Sequence, residues 1–383
     1  MLCAKIHIIF CPCKRIGKKL KEMLACMPQD DYFCAANVFR YLDKRRNYLA
    51  KMLRIRDRRG ALRAWCVVFT VLLMLPNVVA AQRRMRVVSW NVENLFDCQH
   101  DTLKNDVDFL PDGAYHWTRS KYWRKLDDVA KTLAAVGGDE GLPVLVGLCE
   151  VENDSVMRDL TRRSAMRAAG YEYVMTQSED ARGVDVALLY QPFLFRLLGW
   201  RSVRIPSVEH GFQPTRDVLY AKGLLLSGDT LHLAVCHLPS KAGKGRSSGR
   251  HRELAVSTLR SVVDSVLTAD ASAKMLVMGD FNAVPGESVF DALLPPLRET
   301  LPTSRRELRK PIGTYYYKRQ WSYLDHILVS EGFARWQPQA RSGESRQPWL
   351  LTEEGTPRRT FRGPVYQGGV SDHLPLYLDI VVP

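Results

Sequence analysis

Between Tyr171 and Leu238 five apolar runs follow one another with only short turns between them: YEYVMT, VDVALLY, FRLLGWRSV, VLYAKGLLLSG and TLHLAVCHL. Runs this short, rich in Val, Leu and Tyr and bounded by turn residues, are strands rather than helices. Consecutive strands must pair into sheet, and a sheet must bury at least one face against something. The flanking sequence supplies that something. Tyr122, Leu126, Val129, Leu133 and Val136 recur at helical spacing, as do Ala255, Leu259, Val262, Val263 and Val266, and a further helix is expected over Val156–Ala169. MRVVSW, PVLVGLCEVE, KMLVMGDFN and SYLDHILVS add strands. From Leu374 the chain alternates, with Leu374, Leu376, Leu378 and Ile380 on one side. Many strands interrupted by few helices predict an α/β fold of two mainly antiparallel sheets packed face to face with helices outside. Gln337–Arg362 is polar and irregular and reads as a long surface loop.

The first 81 residues differ in kind. They hold 16 Lys+Arg against 5 Asp+Glu and six of the nine cysteines, whereas residues 82–383 hold 39 against 36. The formal charge of +14 therefore lies mostly outside the expected domain, 82–383, whose near balance argues against general polyanion binding. Within 1–81, Trp65–Gln82 is the most apolar run, and its pure core Cys66–Leu75 is about half a membrane-spanning helix. Five arginines precede it (Arg54, Arg56, Arg58, Arg59 and Arg63) and the small residues Val79-Ala80-Ala81 close it, the pattern of a secretory signal peptide cleaved near Ala81. A true start at Met52 gives that signal an ordinary length. The expectation is an exported protein, periplasmic or secreted; the alternative is a membrane tether through residues 65–81. Cys11 and Cys13 lack a second pair at zinc-like spacing. Cys98, Cys149 and Cys236 make no disulfide framework, and the latter two read as small buried hydrophobes inside strands.

Residues that carry chemistry gather at strand ends. SWNVEN closes the first strand, with Asn91 and Glu93 two apart and so on one face of an extended chain. GLCEVEN sets Glu150 at the end of a buried run, where an acid needs a partner or a metal. CHLPSK ends a strand at His237, and GDFNAVP ends one at Asp280 and Asn282. YLDHILVS puts Asp325 inside a strand with His326 facing the other way, and SDHLPL supplies Asp372 and His373. Carboxylates and amides converging from several strands suit a hard cation such as Mg²⁺. Two histidines with an Asn-Asp pair suit phosphate binding and proton transfer. Taken singly, each has a plainer reading: GDFN as a turn, Asp325 as a structural ion pair, His326 as a satisfied core residue, and Asp101, Asp106 and Asp108 as solvated loop acids. Six clusters at strand ends together favour a site.

In their order, SWNVEN, CEVEN, CHLPSK, GDFN, YLDHILVS and SDHLPLYL resemble the endonuclease/exonuclease/phosphatase superfamily across residues 85–381. The resemblance implies a four-layer α/β sandwich and Mg²⁺-dependent phosphoester hydrolysis, with Mn²⁺ as a substitute ion. It implies Glu150 as principal metal ligand, joined by Glu93 and Asp372, and substrate contacts from Asn91, Arg182 and Lys241. His237 stands where the deoxyribonuclease I branch carries a histidine. Asp280 and Asn282 would activate and orient the attacking water, and Asp325 would hold His373 against a phosphate oxygen. Two distances are expected: His373 within hydrogen-bonding reach of Asp325, and Asp372 near Glu150. A phosphodiesterase or endonuclease acting on nucleic acid leads. A phosphatase or a lipid or inositol phosphodiesterase of the same fold is the alternative, and an inactive binding protein is the reading from another class. No stable protein partner is implied. Gly313–Tyr323, GTYYYKRQWSY, is either a substrate wall beside Asp325 or a strand edge packed with aromatics.

Overall fold

Val87 and Val88 are neighbours in the chain yet belong to different hydrophobic cores, and that separation defines the architecture. The computed structural model describes residues 83–138, 141–206, 214–240, 246–301, 313–336 and 338–382. They fall in one compact unit that begins at Ala81. The signal or anchor reading of 1–81 and the substrate contact expected of Lys241 lie outside the described residues.

In chain order the elements are β1 (Arg83–Leu95), α1 (Arg119–Gly137), β2 (Leu145–Val151), α2 (Asp154–Arg158), β3 (Glu172–Met175), β4 (Asp185–Tyr190), β5 (Phe195–Val203), β6 (Val218–Leu225) and β7 (Thr230–His237). Then follow α3 (Arg246–Ala269), β8 (Lys274–Asp280), α4 (Ser288–Leu293), β9 (Leu297–Glu299), β10 (Tyr315–Tyr317), β11 (Gln320–Ser322), β12 (Asp325–Ser330), β13 (Pro338–Glu344), β14 (Phe361–Arg362), β15 (Val365–Tyr366) and β16 (Leu376–Val382). One six-stranded sheet runs β13-β16-β1-β2-β4-β3 and the other β5-β6-β7-β8-β12-β9. Among the described residues each sheet has one parallel pair, β1 with β2 and β7 with β8, and the rest is antiparallel. The helix between the two strands of each pair, α1 and α3, makes the crossover that parallel pairing requires.

Three cores separate four layers. Val88, Trp90 and Val92 of β1 face Leu126, Val129 and Leu133 of α1. Val87, Leu145, Leu376, Leu378 and Ile380 face Leu233, Leu276, Met278 and Ile327 across the gap between the sheets. Ala234, Cys236, Val277 and Leu328 face Ala255, Leu259 and Val263 of α3. The fold is thus an α/β sandwich with helices outside. Central strands are covered on both faces, which is why they read as unbroken apolar runs. Truncating Leu378 to alanine in the middle core would cost about 2–5 kcal/mol. Among the described residues no helix is long and apolar enough to cross a membrane.

Four expectations need correction. Val156–Ala169 is not one helix but α2, a single wide turn at Asp159–Arg163 and a 3₁₀ turn at Ala165–Ala169. The Thr161 hydroxyl bonds Met157 O at 2.8 Å, and Ser164 Oγ bonds Leu160 O at 2.5 Å and accepts from Met166 N at 3.1 Å; these side chains compete with the helical ladder. Gln337–Arg362 is not all loop: β13 pairs with β16 as an edge strand, and Leu350 and Phe361 are buried. Leu374 leaves the face shared by Leu376, Leu378 and Ile380 and packs in the α1-side core, because the last strand starts two residues later. Asp106 is not a solvated acid; it is buried and holds Asp101 N at 2.8 Å and His100 Nδ1 at 2.5 Å.

Candidate active site

The two parallel pairs open their carboxyl ends at the same edge of the sandwich, and the side chains at those ends meet. β8 reaches that edge through Gly279, whose φ is +148°; a Cβ there would sit 1.8 Å from Cys236 O, so only glycine lets β7 and β8 lie this close just before Asp280. Asn91 is the tie between the sheets. Its Nδ2 donates to Glu150 Oε1 at 3.2 Å and to Asp280 Oδ2 at 3.0 Å. Glu150, at φ +66°, turns its other oxygen to Asn94 N at 2.9 Å. Positive φ at Glu93, Asn94, Glu150 and Asn282 marks a backbone bent to aim side chains.

Asp280 lies between two histidines in opposite states. His237 Nε2 is 3.5 Å from Asp280 Oδ2 and 3.8 Å from Glu150 Oε1. Burial, helped by Arg216, Arg182 and His373, pushes His237 well below the ordinary histidine range, so it is neutral at pH 7. Its Nδ1 is buried without a hydrogen-bond partner among the described residues. His373 Nδ1 meets Asp325 Oδ2 at 2.7 Å, and its Nε2 is 3.8 Å from Asp280 Oδ2. Burial alone would lower His373, but Asp325 and Asp280 outweigh it and hold the imidazole charged well above the ordinary value. Burial raises Asp280 to about 6 against the pull of His373, which leaves it ionised at neutral pH. Paired groups driven to opposite protonation states are the mark of an acid–base site.

The remaining positions divide. Asn282 donates its N to Asp280 Oδ1 at 2.9 Å and its Nδ2 to Leu238 O at 3.0 Å, so GDFN is both a turn and part of the site. Arg182 is exposed and lies 3.5 Å from Asp180, which also holds the buried Arg216 at 3.2 Å. The Tyr315 ring lies 4.8 Å from that of His373, so the β10–β11 hairpin borders the site. His326 is a satisfied core residue, with Nδ1 on Glu299 at 2.6 Å and Nε2 on Ala283 O at 2.9 Å.

The three acids expected to hold a metal all act on the buried Lys125, and each has its own nearest partner. Asp372 is bonded to Arg359. Glu93 accepts from Thr360 N at 2.6 Å, with Arg359 Nε 3.7 Å away. It does not share the strand face of Asn91, because the register of β1 against β2 shifts between Asn91 and Leu95. Among the described residues no three or more His, Cys, Asp or Glu side chains converge as a metal-binding group. Glu150 differs from Asp372 and Glu93: among the described residues only neutral His237 is in ion-pair range of its carboxylate, with Lys125 and Arg216 acting on it from farther away. A carboxylate beside the Asn91 amide is an oxygen-donor set that a hard divalent ion can complete with water.

Sequence reasoning passed over Arg359, Thr360, Arg216 and Lys125. Lys125 left a signal, since it sits inside the apolar stripe of α1 between Tyr122 and Leu126. It is buried, and its Nζ bonds Glu93 O and Thr360 Oγ1; burial lowers it to about 8. Arg359 left none, because it follows a stretch without periodicity.

Comparison with known proteins bears on the fold and the family. No curated protein matches the chain. Among solved structures, a mannosyl-6-phosphatase of Bacteroides thetaiotaomicron is 15% identical, with a TM-score of 0.50 over 78% of this chain and 100% of that one. A functionally unknown conserved protein of Enterococcus faecalis is 17% identical, with a TM-score of 0.51 over 78% and 100%. Truncated Caenorhabditis elegans TDP2 is 13% identical, with a TM-score of 0.50 over 78% and 98%. These likenesses show the fold. The model of the endonuclease/exonuclease/phosphatase family matches residues 86–381, nearly all of the sandwich and every strand end described above, and the chain therefore belongs to that family of phosphoester hydrolases.

Proposed function

We propose that this chain is an exported phosphodiesterase that cleaves nucleic acid with a divalent ion, Mg²⁺ by expectation, held at Glu150 and Asn91. The observation that supports it is the placing of His237 and His373 at 3.5 and 3.8 Å from Asp280 Oδ2, with burial pushing the first toward neutrality and Asp325 holding the second toward the charged form. When bound, such an ion supplies charge neutralisation at a non-bridging phosphate oxygen. The chain's own residues do the rest. Asp280, ionised at neutral pH and fixed by Asn91 and the Asn282 N–H, takes the proton of a water aimed at phosphorus. Cationic His373, oriented by Asp325, donates from Nε2 to a phosphoryl oxygen as the new P–O bond forms and the bond to the leaving oxygen, which takes a proton from solvent, breaks. Neutral His237 hydrogen-bonds the phosphate without adding charge. Buried Arg216 and exposed Arg182 add positive potential on its side, and the Tyr315 ring offers a base a face to stack on.

The test is purified protein in Mg²⁺ offered plasmid DNA, RNA, sphingomyelin, inositol phosphates and a sugar phosphate. Nucleic acid should be cleaved fastest. Turnover confined to a monoester or to lipid reassigns the substrate, and no turnover in Mg²⁺ or Mn²⁺ rejects the reading.

A further inference from the structure

Arg359 sets its guanidinium between two carboxylates that the sequence had marked as metal ligands. Its Nη2 bonds Asp372 Oδ2, and its Nε lies 3.7 Å from Glu93 Oε1. The next residue, Thr360, gives its N–H to Glu93 Oε2 at 2.6 Å. Lys125 adds a second cation from below, bonded to Glu93 O and, at 2.7 Å, to Thr360 Oγ1. Glu93 and Asp372 thus lie against Arg359 and Lys125, whereas Glu150 feels Lys125 and Arg216 only at longer range and, among the described residues, has no lysine or arginine within ion-pair distance.

This arginine is not a loose surface group. Gln367 N bonds Thr360 O at 2.9 Å, and Thr360 Oγ1 reaches Val370 O at 3.3 Å. Phe361 is wedged among Tyr115, Trp117 and Tyr366. Gly369 lies so close beneath that a Cβ would sit 1.9 Å from Arg358 O. The backbone that presents Arg359 is thus held on three sides. Arg359 Nε is buried and donates to no hydrogen-bond partner among the described residues, while part of the side chain remains open to solvent.

We propose that Arg359 is a built-in counter-cation that fills the place of a second metal ion, so that the site binds a single divalent ion at Glu150. A second ion between Glu93 and Asp372 would meet the like charge of a guanidinium already there. The open edge of Arg359 then faces the phosphate opposite the ion, where its fork suits non-bridging oxygens. The inference rests on the functional reading above.

Calorimetric titration of the intact apo chain with Mn²⁺ should show one ion per chain. Arg359→Gln frees the Glu93–Asp372 pair, and a second, weaker ion should appear. Turnover at limiting Mn²⁺ should fall about a hundredfold and recover in part as Mn²⁺ is raised, whereas Arg359→Lys should keep one ion. An arginine with a merely structural role would lower turnover without any dependence on the ion. Two ions on the wild type, or one ion on Arg359→Gln with an unchanged Mn²⁺ requirement, overturns the inference and leaves phosphoester hydrolysis standing. A wild type that binds no Mn²⁺ and cleaves no phosphoester removes both.

Discussion

Asp325 Oδ2 and His373 Nδ1 stand 2.7 Å apart, both side chains buried, although 48 residues separate them in the chain. The carboxylate keeps the imidazole charged against the cost of burial. Asp325→Asn preserves the shape and removes the charge. Turnover should fall about a hundredfold or more. Because the aspartate raises His373, the alkaline limb of the pH–rate profile should move to lower pH in the variant. An unmoved limb would show that His373 does not act as the charged donor.

Glu150→Gln keeps the shape and one of the two acceptor oxygens, and removes the one carboxylate of the three with no lysine or arginine within ion-pair distance among the described residues. Added Mg²⁺ or Mn²⁺ should raise the melting temperature of the wild type and leave that of the variant flat, with activity down about a thousandfold. An equal melting shift in both proteins would place the ion elsewhere.

His237 should read as neutral by ¹⁵N chemical shift from pH 8 to below 6 in metal-free buffer, since burial lowers it. The unfolded chain takes up that proton near ~6.5, and the fold does not. Stability should therefore drop as pH falls below that value, and His237→Gln should lessen the drop. A normal histidine titration at His237 refutes the assignment of charge states.

Glu152 is buried beside Asp97, and burial followed by Asp97 raises it to about 8. Its unfolded counterpart ionises near ~4.3. The folded state therefore holds a proton that the unfolded state has lost, and stability falls as pH climbs from that value toward 8. Glu152→Gln keeps the acceptor for Asp97 N and should be stabilised over wild type by at least about 1 kcal/mol at pH 8, with little gain at pH 4. Equal urea midpoints at both pH values would disprove the shift.

Strand runs such as VLVGLC and KMLVMG were legible because both of their faces are buried. Asn91, Glu150, His237, Asp280 and His373 were legible because each ends or adjoins such a run. The irregularity in β1 after Asn91 was not legible, because the sequence pattern implies unbroken two-residue alternation. The bond from Arg359 to Asp372 was not legible, because Arg359 comes from a segment without periodicity. That segment is positioned by the aromatic packing of Phe361, a relation among residues far apart in the chain.

β1 pairs with β16, Arg83 opposite Val382 and Ser89 opposite Leu376, and the Trp90 indole donates to His373 O at 3.0 Å. A ribosome therefore delivers the earliest strand of the sandwich long before its neighbour. Until residues 371–382 emerge, the growing polypeptide lacks the charged histidine, the clasp from Ser371 to Asn91 and one flank of β1. The last parts of the site thus arrive only when synthesis of the sandwich is almost complete, by the order in which its parts are written.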